Sequence, residues 1–310
     1  MKENEEPTQP VSTGGQVVLS GEWPLTGAPL EGEAPQHPVY VVKIDNTSSS
    51  EPQVGLSSAD MVVEELVEGG LTRLAAFYHS DIPGRVGPVR SLRASDIGIV
   101  KPVSPSVVAS GGARPTVSRI ADADVTTFVE GAAGFFRADD RSAPFNLFVA
   151  LADVAGDPED GWRAPAQPYL AFGEDSDFDG TIAVDKITAT FSAAHSTRWQ
   201  RTAVGWTRPG SYADDGDDFL ADSVLLLKVA VGDAGYLDPA GNPVPETRFY
   251  GKGEAVLVHG GEALKATWRK DNAGSELTLE DSAGQEVTVP AGHTWIELVP
   301  AEGGEVVLSK

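Results

Sequence analysis

The sequence predicts an α+β protein, with an N-terminal α/β domain built on a mixed sheet and a β-rich C-terminal domain after it. In the first half, short β-branched runs end in turn residues and are followed by segments that fit helices, as in α/β units. In the second half, strand-like runs follow one another with only turns between them. A stretch rich in Pro, Gly, Asp and Glu separates the two patterns and indicates a domain boundary.

We therefore divide the 310 residues into four parts. Residues 1–22 are expected to be a disordered tether, because Pro, Ser, Thr, Gly and Glu bury too little surface to become ordered. Residues 23–155 form the α/β domain, 156–180 an acidic linker, and 181–310 the β-rich domain. A polar tether before an acidic domain is what remains when an export segment has been removed, so we expect an exported protein.

Composition excludes several classes of function. The formal net charge is −23, and nucleic acid needs a basic surface, so nucleic acid is not expected as a partner. The chain has no cysteine, which excludes disulfides, thiolate metal sites and cysteine nucleophiles. No run approaches the roughly 18 apolar residues that span a bilayer.

Polar residues at strand ends are the first candidate site residues. Residues 39–44 form an apolar, β-branched run that predicts a buried strand, and Asp45 and Asn46 follow it. Open α/β sheets bind ligands at the carboxyl ends of their strands, although Asp-Asn is also a plain turn signal. Glu64 lies inside the next β-like run and is a candidate for the same site.

Two segments with helical pattern accompany these strands. Ser91 is predicted to cap a helix that ends near residue 100, whose N-terminus would favour an anion. A strand at residues 107–109 is followed by Gly111 and Gly112, which allow close backbone approach to a ligand, although Gly-Gly is also a common loop pair. Residues 146–154 are predicted to form a mostly apolar helix.

Arginines are concentrated in one segment of this acidic chain. Residues 73–119 contain seven Lys or Arg and only two Asp. Arginine recognises phosphate and carboxylate groups through two parallel hydrogen bonds. We predict that Arg73, Arg90 and Arg93 converge near Asp45 and the turn at residues 110–112. The alternative is that each guanidinium pairs with a carboxylate and has only a structural role.

Other motifs point to no cofactor and no metal. The D-x-D-x-D-G run from Asp175 to Gly180 is the first half of a calcium loop, but Lys186 stands where the final acid is needed. We therefore expect no tight calcium site. The five histidines lack zinc-site spacing, and neither a phosphate-binding P-loop nor a dinucleotide fingerprint is present.

Several short motifs occur in a recognisable order. They are PLTG (24–27), KIDN (43–46), GLSSAD (55–60), EGGLTR (68–73), GPVRSLR (87–93), SGGA (110–113), R-x-x-P-x-N-L (141–147), TWRK (267–270) and PAGHTWIELVP (290–300). In this order they resemble the YerB-like family of bacterial proteins described as lipoproteins, which carry an N- and a C-terminal domain of unknown function. The resemblance covers nearly everything after the tether.

The resemblance implies export to the cell envelope and a lipid anchor on a cysteine that this sequence does not contain. It adds Arg141 and Asn146, from the R-x-x-P-x-N-L motif, to the candidate ligand-binding residues. The family often has a histidine where Phe145 stands, and its loss here favours binding over catalysis. The resemblance supplies no activity.

Three hypotheses on function remain open. The chain is a binding module for an anionic small molecule or envelope polymer, held by the arginines. Alternatively, it is a phosphoryl-transfer or hydrolytic enzyme in which Asp45 or Glu64 acts with the arginines. The third hypothesis is a protein-interaction scaffold. In each case the expected location is extracytoplasmic, with the membrane contacted only through the lipid anchor.

Overall fold

The computed structural model describes residues 21–32, 35, 37–154, 165, 167–238 and 241–310. The predicted tether (1–22) lies outside them except for its last two residues, and so does most of the first half of the predicted linker (156–180). None of the helices in the described residues has the length and hydropathy needed to cross a membrane.

Most of the regular structure is strand. The α-helices of the described residues are α1 (Asp96–Val100), α2 (Arg114–Asp122) and α3 (Leu151–Val154). The strands are β1 (Tyr40–Asn46), β2 (Met61–Leu66), β3 (Thr72–Tyr78), β4 (Ser106–Ala109), β5 (Thr126–Val129), β6 (Phe135–Arg137), β7 (Leu147–Val149), β8 (Phe172–Gly173), β9 (Ile182–Ala183), β10 (Lys186–Thr190), β11 (Ser196–Thr202), β12 (Gly205–Thr207), β13 (Ser223–Leu237), β14 (Pro243–Arg248), β15 (Gly251–His259), β16 (Glu262–Lys270), β17 (Thr278–Glu280), β18 (Val289–Pro290), β19 (Thr294–Pro300) and β20 (Glu305–Ser309).

The predicted α+β class is confirmed, and the large sheet is mixed. Its strand order is β17-β16-β15-β13-β19-β2-β3-β1-β4-β5. Strand β3 lies between β1 and β2 and pairs antiparallel with both. Strand β4 runs parallel to β1, and β5 runs parallel to β4. A smaller sheet, in the order β12-β11-β10-β20, packs against it.

Strands from both halves of the chain belong to one sheet. Strand β19, near the C-terminus, lies between β13 and β2 and runs parallel to both. All seven of its residues are buried, as expected for a central parallel strand covered on both faces. The sequence did not predict that the two halves share a sheet, because an apolar run does not indicate which strand it will pair with.

The alternation of side chains divides the core into two layers. On one face, which we call the small-sheet face, Val42, Ile44 and Val62 pack with Trp199 of the smaller sheet. The opposite face, which we call the helix face, carries Val41, Val63 and Ala75 packed with Ile99 of α1. Residues adjacent in a strand therefore belong to different layers.

Two of the predicted helices are shorter than expected. The helix predicted from residue 92 begins only at Asp96, whose carboxylate accepts the backbone N–H of Arg93, so Ser91 is not its cap. In the segment predicted as a helix over 146–154, Leu147–Val149 form a strand paired with β6, and only Leu151–Val154 are helical. A short apolar run does not distinguish a strand from a buried helix, and pairing with a neighbour decides the outcome.

The two sheets meet at an aromatic contact that can be tested. The rings of Trp199 and Trp295 pack edge to face with centroids 5.3 Å apart, and both are fully buried. Trp199→Ala should lower the free energy of unfolding by about 3–5 kcal/mol, because it leaves a cavity and removes the indole N–H that bonds Glu297. Urea denaturation measures this change. Val204→Ala, at a side chain that is 70% exposed, is the control and should change stability by less than about 0.5 kcal/mol. A similar loss in both variants would contradict the assigned packing.

Candidate functional site

The three predicted arginines lie together on the helix face, and we call them the arginine cluster. Arg73 stands opposite Asp45 in the antiparallel register of β1 and β3, so the two side chains share a face. The segment that carries Arg90 lies beside the end of β1, with the N–H of Arg90 donating to the carbonyl of Lys43 at 2.8 Å. The register of the strands and this edge contact bring the cluster together.

Two members of the cluster have carboxylate partners. Arg90 Nε lies 2.8 Å from Asp45 Oδ2, and the Arg90 side chain is 22% exposed. Arg93 donates from Nε and from one terminal nitrogen to Glu68 Oε2, at 2.9 and 2.6 Å. The sequence left open that each arginine pairs with a carboxylate, and Arg90 and Arg93 do so. These ion pairs neutralise two of the three guanidinium groups.

Arg73 differs from the other two. Its guanidinium donates to the carbonyl oxygen of Ser91 at 2.8 Å, and no carboxylate of the described residues lies within ion-pair distance of it. The residue is only 7% exposed. Burial, together with the positive charges of Arg93 and Arg90, lowers the pKa of Arg73 to about 10. The cluster thus contains one buried cation whose charge lacks a paired anion.

The predicted glycine turn lies beside the same segment. The carbonyl of Gly111 accepts the N–H of Leu92 at 2.8 Å, and the hydroxyls of Ser91 and Ser110 are 3.1 Å apart. Gly111 has φ +118°, a backbone conformation that favours glycine. Helix α2 begins at Arg114, and no side chain of the described residues caps its N-terminus. Because its second residue is Pro115, which has no N–H, only Arg114 and Thr116 have a free backbone donor among its first three residues.

The two residues added by the resemblance lie outside the cluster. Arg141 donates to the carbonyl of Ser50 at 3.2 Å and stacks over the ring of Phe148, 5.0 Å from its centroid. Asn146 bonds Arg137 and the carbonyl of Ala138 in the loop between β6 and β7. The structure therefore gives both residues local bonds that hold loops in place.

Glu64 and Asn46 lie on the small-sheet face, opposite to Asp45 and the arginine cluster. Glu64 Oε1 accepts hydrogen bonds from Asn46 Nδ2 at 2.9 Å and Thr72 Oγ1 at 2.7 Å. It also lies 2.9 Å from His195 Nε2, and Glu64 Oε2 lies 2.9 Å from Thr197 Oγ1. The sheet separates Glu64 from Asp45, so the structure does not bring Glu64 together with the arginine cluster.

A second buried carboxyl accompanies Glu64. Glu297 on β19 is the register partner of Glu64 on β2, and neither has exposed surface. Glu297 Oε1 accepts the indole N–H of Trp199 at 2.7 Å. Burial and the charge of Glu64 raise the pKa of Glu297 well above its usual 4.5. Burial alone would raise the pKa of Glu64 as well, but its bonds to His195 and Thr72 lower it to about 2.

A polar cleft opens above this pair of glutamates. Its volume is about 350 Å³, and its lining includes Asn46, His195, Thr197, Arg208 and Tyr212. Arg208 is held by Asp218 and by stacking 4.1 Å from the ring of Trp295. His195 reaches the cleft while Glu64 stays buried behind it. The arrangement is that of an imidazole oriented by a carboxylate.

Sequence reasoning missed Glu297 and did not place His195 at a site. Glu297 is the one charged residue in the predicted strand at 295–299, and a charge in a buried run is a signal of function or of a polar network. His195 offered no such signal, because its partners lie far away in the sequence. In the part of the chain that the structure describes, no group of three or more His, Cys, Asp or Glu side chains is arranged to hold a metal ion.

Comparisons with known proteins give two family matches. Residues 25–161 match the domain described as "Protein of unknown function (DUF3048) N-terminal domain". Residues 186–296 match the corresponding DUF3048 C-terminal domain. The first match contains the arginine cluster, Glu64 and Glu65, and the second contains His195.

One relative and one solved structure are similar over most of the chain. "Putative lipoprotein YerB" of Bacillus subtilis (strain 168) is 25% identical over 289 residues, covering 89% of this chain and 86% of that protein. The crystal structure of YerB from Bacillus subtilis has a TM-score of 0.76 at 21% identity, covering 92% of this chain and 99% of the other. The structural likeness shows that the two proteins share a fold.

The buried glutamate pair makes stability depend on pH. Above pH 4.5 the folded protein retains the proton of Glu297 while the unfolded chain releases it, so the free energy of unfolding falls as pH rises toward the raised pKa. Glu297→Gln is neutral at every pH and should remove this decline. Between about pH 5 and pH 8, urea denaturation should show that the free energy of unfolding of the variant rises relative to that of the native protein, by up to about 1.4 kcal/mol per pH unit.

Glu64 does not disturb this comparison, because its contribution is lost only as pH falls from 4.5 toward about 2. Glu305→Gln, at an exposed position of β20, is the matched control and should leave the pH dependence unchanged. Identical pH dependence in the native protein and Glu297→Gln would show that the folded protein does not hold a proton on Glu297 in this pH range.

Proposed function

This chain belongs to the YerB-like family of DUF3048 proteins, whose two domains have no assigned function, and we propose that it binds an anionic ligand at the arginine cluster. The ligand class is a phosphate- or carboxylate-bearing small molecule or envelope polymer. The observation that carries the proposal is Arg73, a buried guanidinium that no carboxylate of the described residues contacts at ion-pair distance. Asp45 and Glu68 pair with Arg90 and Arg93, so the cluster has two carboxylates for three guanidinium groups. A buried cation without an anion is costly, and a bound anion removes the cost.

The surroundings of Arg73 support the same ligand chemistry. Arg90 is partly exposed and close to Arg73, so a second guanidinium can reach the bound group. The hydroxyls of Ser91 and Ser110 add donors beside it. Charge-assisted hydrogen bonds of this kind are about twice as strong as neutral ones.

We also propose an extracytoplasmic location with a lipid anchor. The support is the name of the Bacillus subtilis relative, which describes it as a lipoprotein. Polymers of the cell envelope carry phosphate and carboxylate groups, so this location would bring the arginine cluster to ligands of the proposed class. Attachment through a lipid would leave the fold free to face these polymers.

A second candidate function is hydrolysis in the polar cleft. The specific observation that favours it is His195, oriented by Glu64 at the edge of a cleft of about 350 Å³. An imidazole held in this way can act as a general base. This candidate differs from the enzyme predicted from the sequence, since neither Asp45 nor the arginine cluster would take part.

Binding at the arginine cluster is tested with Arg73→Ala. Isothermal titration with glycerol phosphate, inorganic phosphate and citrate should show at least about tenfold weaker affinity in the variant, because a charged hydrogen bond contributes about 1.5–3 kcal/mol. A lower melting temperature does not by itself count against binding, because the substitution also removes buried packing and the hydrogen bond to the carbonyl of Ser91.

Arg269→Ala is the control, at an exposed arginine that pairs with Glu280 near the other edge of the sheet. It should leave the affinity unchanged. If Arg73→Ala binds the three probes as the native protein does, or if none of them binds the native protein, the anion-binding function is wrong. A lower melting temperature with unchanged affinity would identify Arg73 as structural.

Hydrolysis in the cleft is tested with nitrophenyl acetate and nitrophenyl phosphate. If the cleft is catalytic, His195→Ala should reduce turnover at least about hundredfold, as expected for loss of a general base. Arg73→Ala should leave turnover unchanged. Turnover that is absent from the native protein, or equal in both variants, would exclude this candidate for the two substrate classes.

A further inference from the structure

Lys43, Glu65 and Asp96 form a charged triad inside the helix face, and the anion site does not use it. Lys43 Nζ lies 2.7 Å from Glu65 Oε1 and 2.6 Å from Asp96 Oδ1. None of the three side chains has exposed surface. The residues come from β1, β2 and the first position of α1. The triad is therefore a lysine enclosed with two carboxyl groups and shielded from water.

We propose that Lys43 and Asp96 condense to form an intramolecular isopeptide bond, with Glu65 carrying the protons. The bond joins Nζ of Lys43 to the side-chain carboxyl carbon of Asp96. The reaction needs a nucleophilic amine, a carboxyl carbon within reach, a group that moves protons, and a donor that holds the carbonyl oxygen. The structure brings these groups together at one place. Burial lowers the pKa of Lys43, but the charges of Asp96 and Glu65 raise it by more, so the amine forms only after a proton has passed to Glu65.

The distance between the two groups permits the attack. Because a C–O bond is about 1.23 Å long, Nζ lies at most about 3.8 Å from the carboxyl carbon of Asp96. Asp96 Oδ2 accepts the backbone N–H of Arg93 at 2.7 Å. This donor is placed to hold the oxygen that becomes the amide carbonyl, as an oxyanion hole does.

The protons and atoms balance without any further reactant. Glu65 takes one proton from the ammonium group of Lys43 and delivers it to Asp96 Oδ1. The free amine attacks the carboxyl carbon, and Glu65 then moves a second proton from the nitrogen to the same oxygen. Oδ1 leaves as water, the C–N bond remains, and Glu65 returns to its starting form. No electron transfer is involved.

The condensation replaces two buried charges, the ammonium of Lys43 and the carboxylate of Asp96, with a neutral amide. Glu65 keeps its charge and loses the ammonium as a partner. Burial also raises the pKa of Asp96 to about 6, with Glu65 adding to the effect, which favours the protonated carboxyl that an amine can attack. Glu65 keeps the hydroxyl of Ser95 as a donor after the reaction.

The bond would act as a covalent brace. It would connect β1 to α1 and close residues 43–96 into a loop that contains Arg73, Arg90 and Arg93. The chain has no cysteine, so no disulfide can do this. Cross-links restrict the unfolded chain, and this one would also fix the segment that carries the arginine cluster.

The test is the intact mass of the purified, denatured chain. The native protein should be lighter than its sequence by the mass of one water molecule. Tryptic digestion should yield a branched peptide in which Lys43 is linked to Asp96. Glu65→Gln, which cannot carry protons, and Lys43→Arg, which keeps the charge but does not condense, should both have the full mass of their sequences.

The native protein alone decides the outcome if a variant fails to fold. The full sequence mass after prolonged incubation of the folded native protein would show that the triad is a permanent ion network and would overturn the proposal. Loss of water that maps to any other residue, such as a succinimide at an aspartate, would overturn it as well. A loss of water that also occurs in Lys43→Arg would overturn the proposal too, because that variant lacks the lysine amine.

Discussion

The burial of Glu64 and Glu65 in the middle strand β2 governs the arrangement of the polar groups around it. Adjacent residues of a strand point to opposite faces, so one dipeptide places a carboxylate in each layer of the core. Each carboxylate needs partners because an unpaired buried charge is costly. Glu65 is satisfied by Lys43 and Ser95 on the helix face, and Glu64 by His195 and its neighbours on the small-sheet face.

The hydrogen-bond and ion-pair networks around Glu65 and Glu64 connect different parts of the chain. On the helix face, Lys43 and Asp96 attach α1 to the sheet, and the arginine cluster lies beside them at the ends of the same strands. On the small-sheet face, Glu64 contacts Glu297 and His195, which come from the other half of the chain. One network thus positions a site within the first half, and the other joins the two halves.

Much of the arginine cluster could be predicted from the sequence, because Arg90 and Arg93 are close in the chain and the pattern of β1 and β3 places Arg73 near Asp45. The ion pairs of Arg90 and Arg93 could be expected only in general terms, since many carboxylates compete for them. The pairing of β19 with β2 could not be predicted, because an apolar run fits several neighbours. For that reason Glu297 and the cleft at His195 could not be predicted. Glu64 was a candidate for the same site as Asp45, but the sheet separates it from the arginine cluster.

The unpaired charge of Arg73 is the central claim, and a crystal structure grown with phosphate tests it most directly. We expect a bound anion within hydrogen-bond distance of the guanidinium groups of Arg73 and Arg90, with the Arg93–Glu68 pair intact. A structure in which a carboxylate of the chain itself neutralises Arg73 would contradict anion binding at this cluster. So would a structure in which phosphate occupies only the cleft at His195.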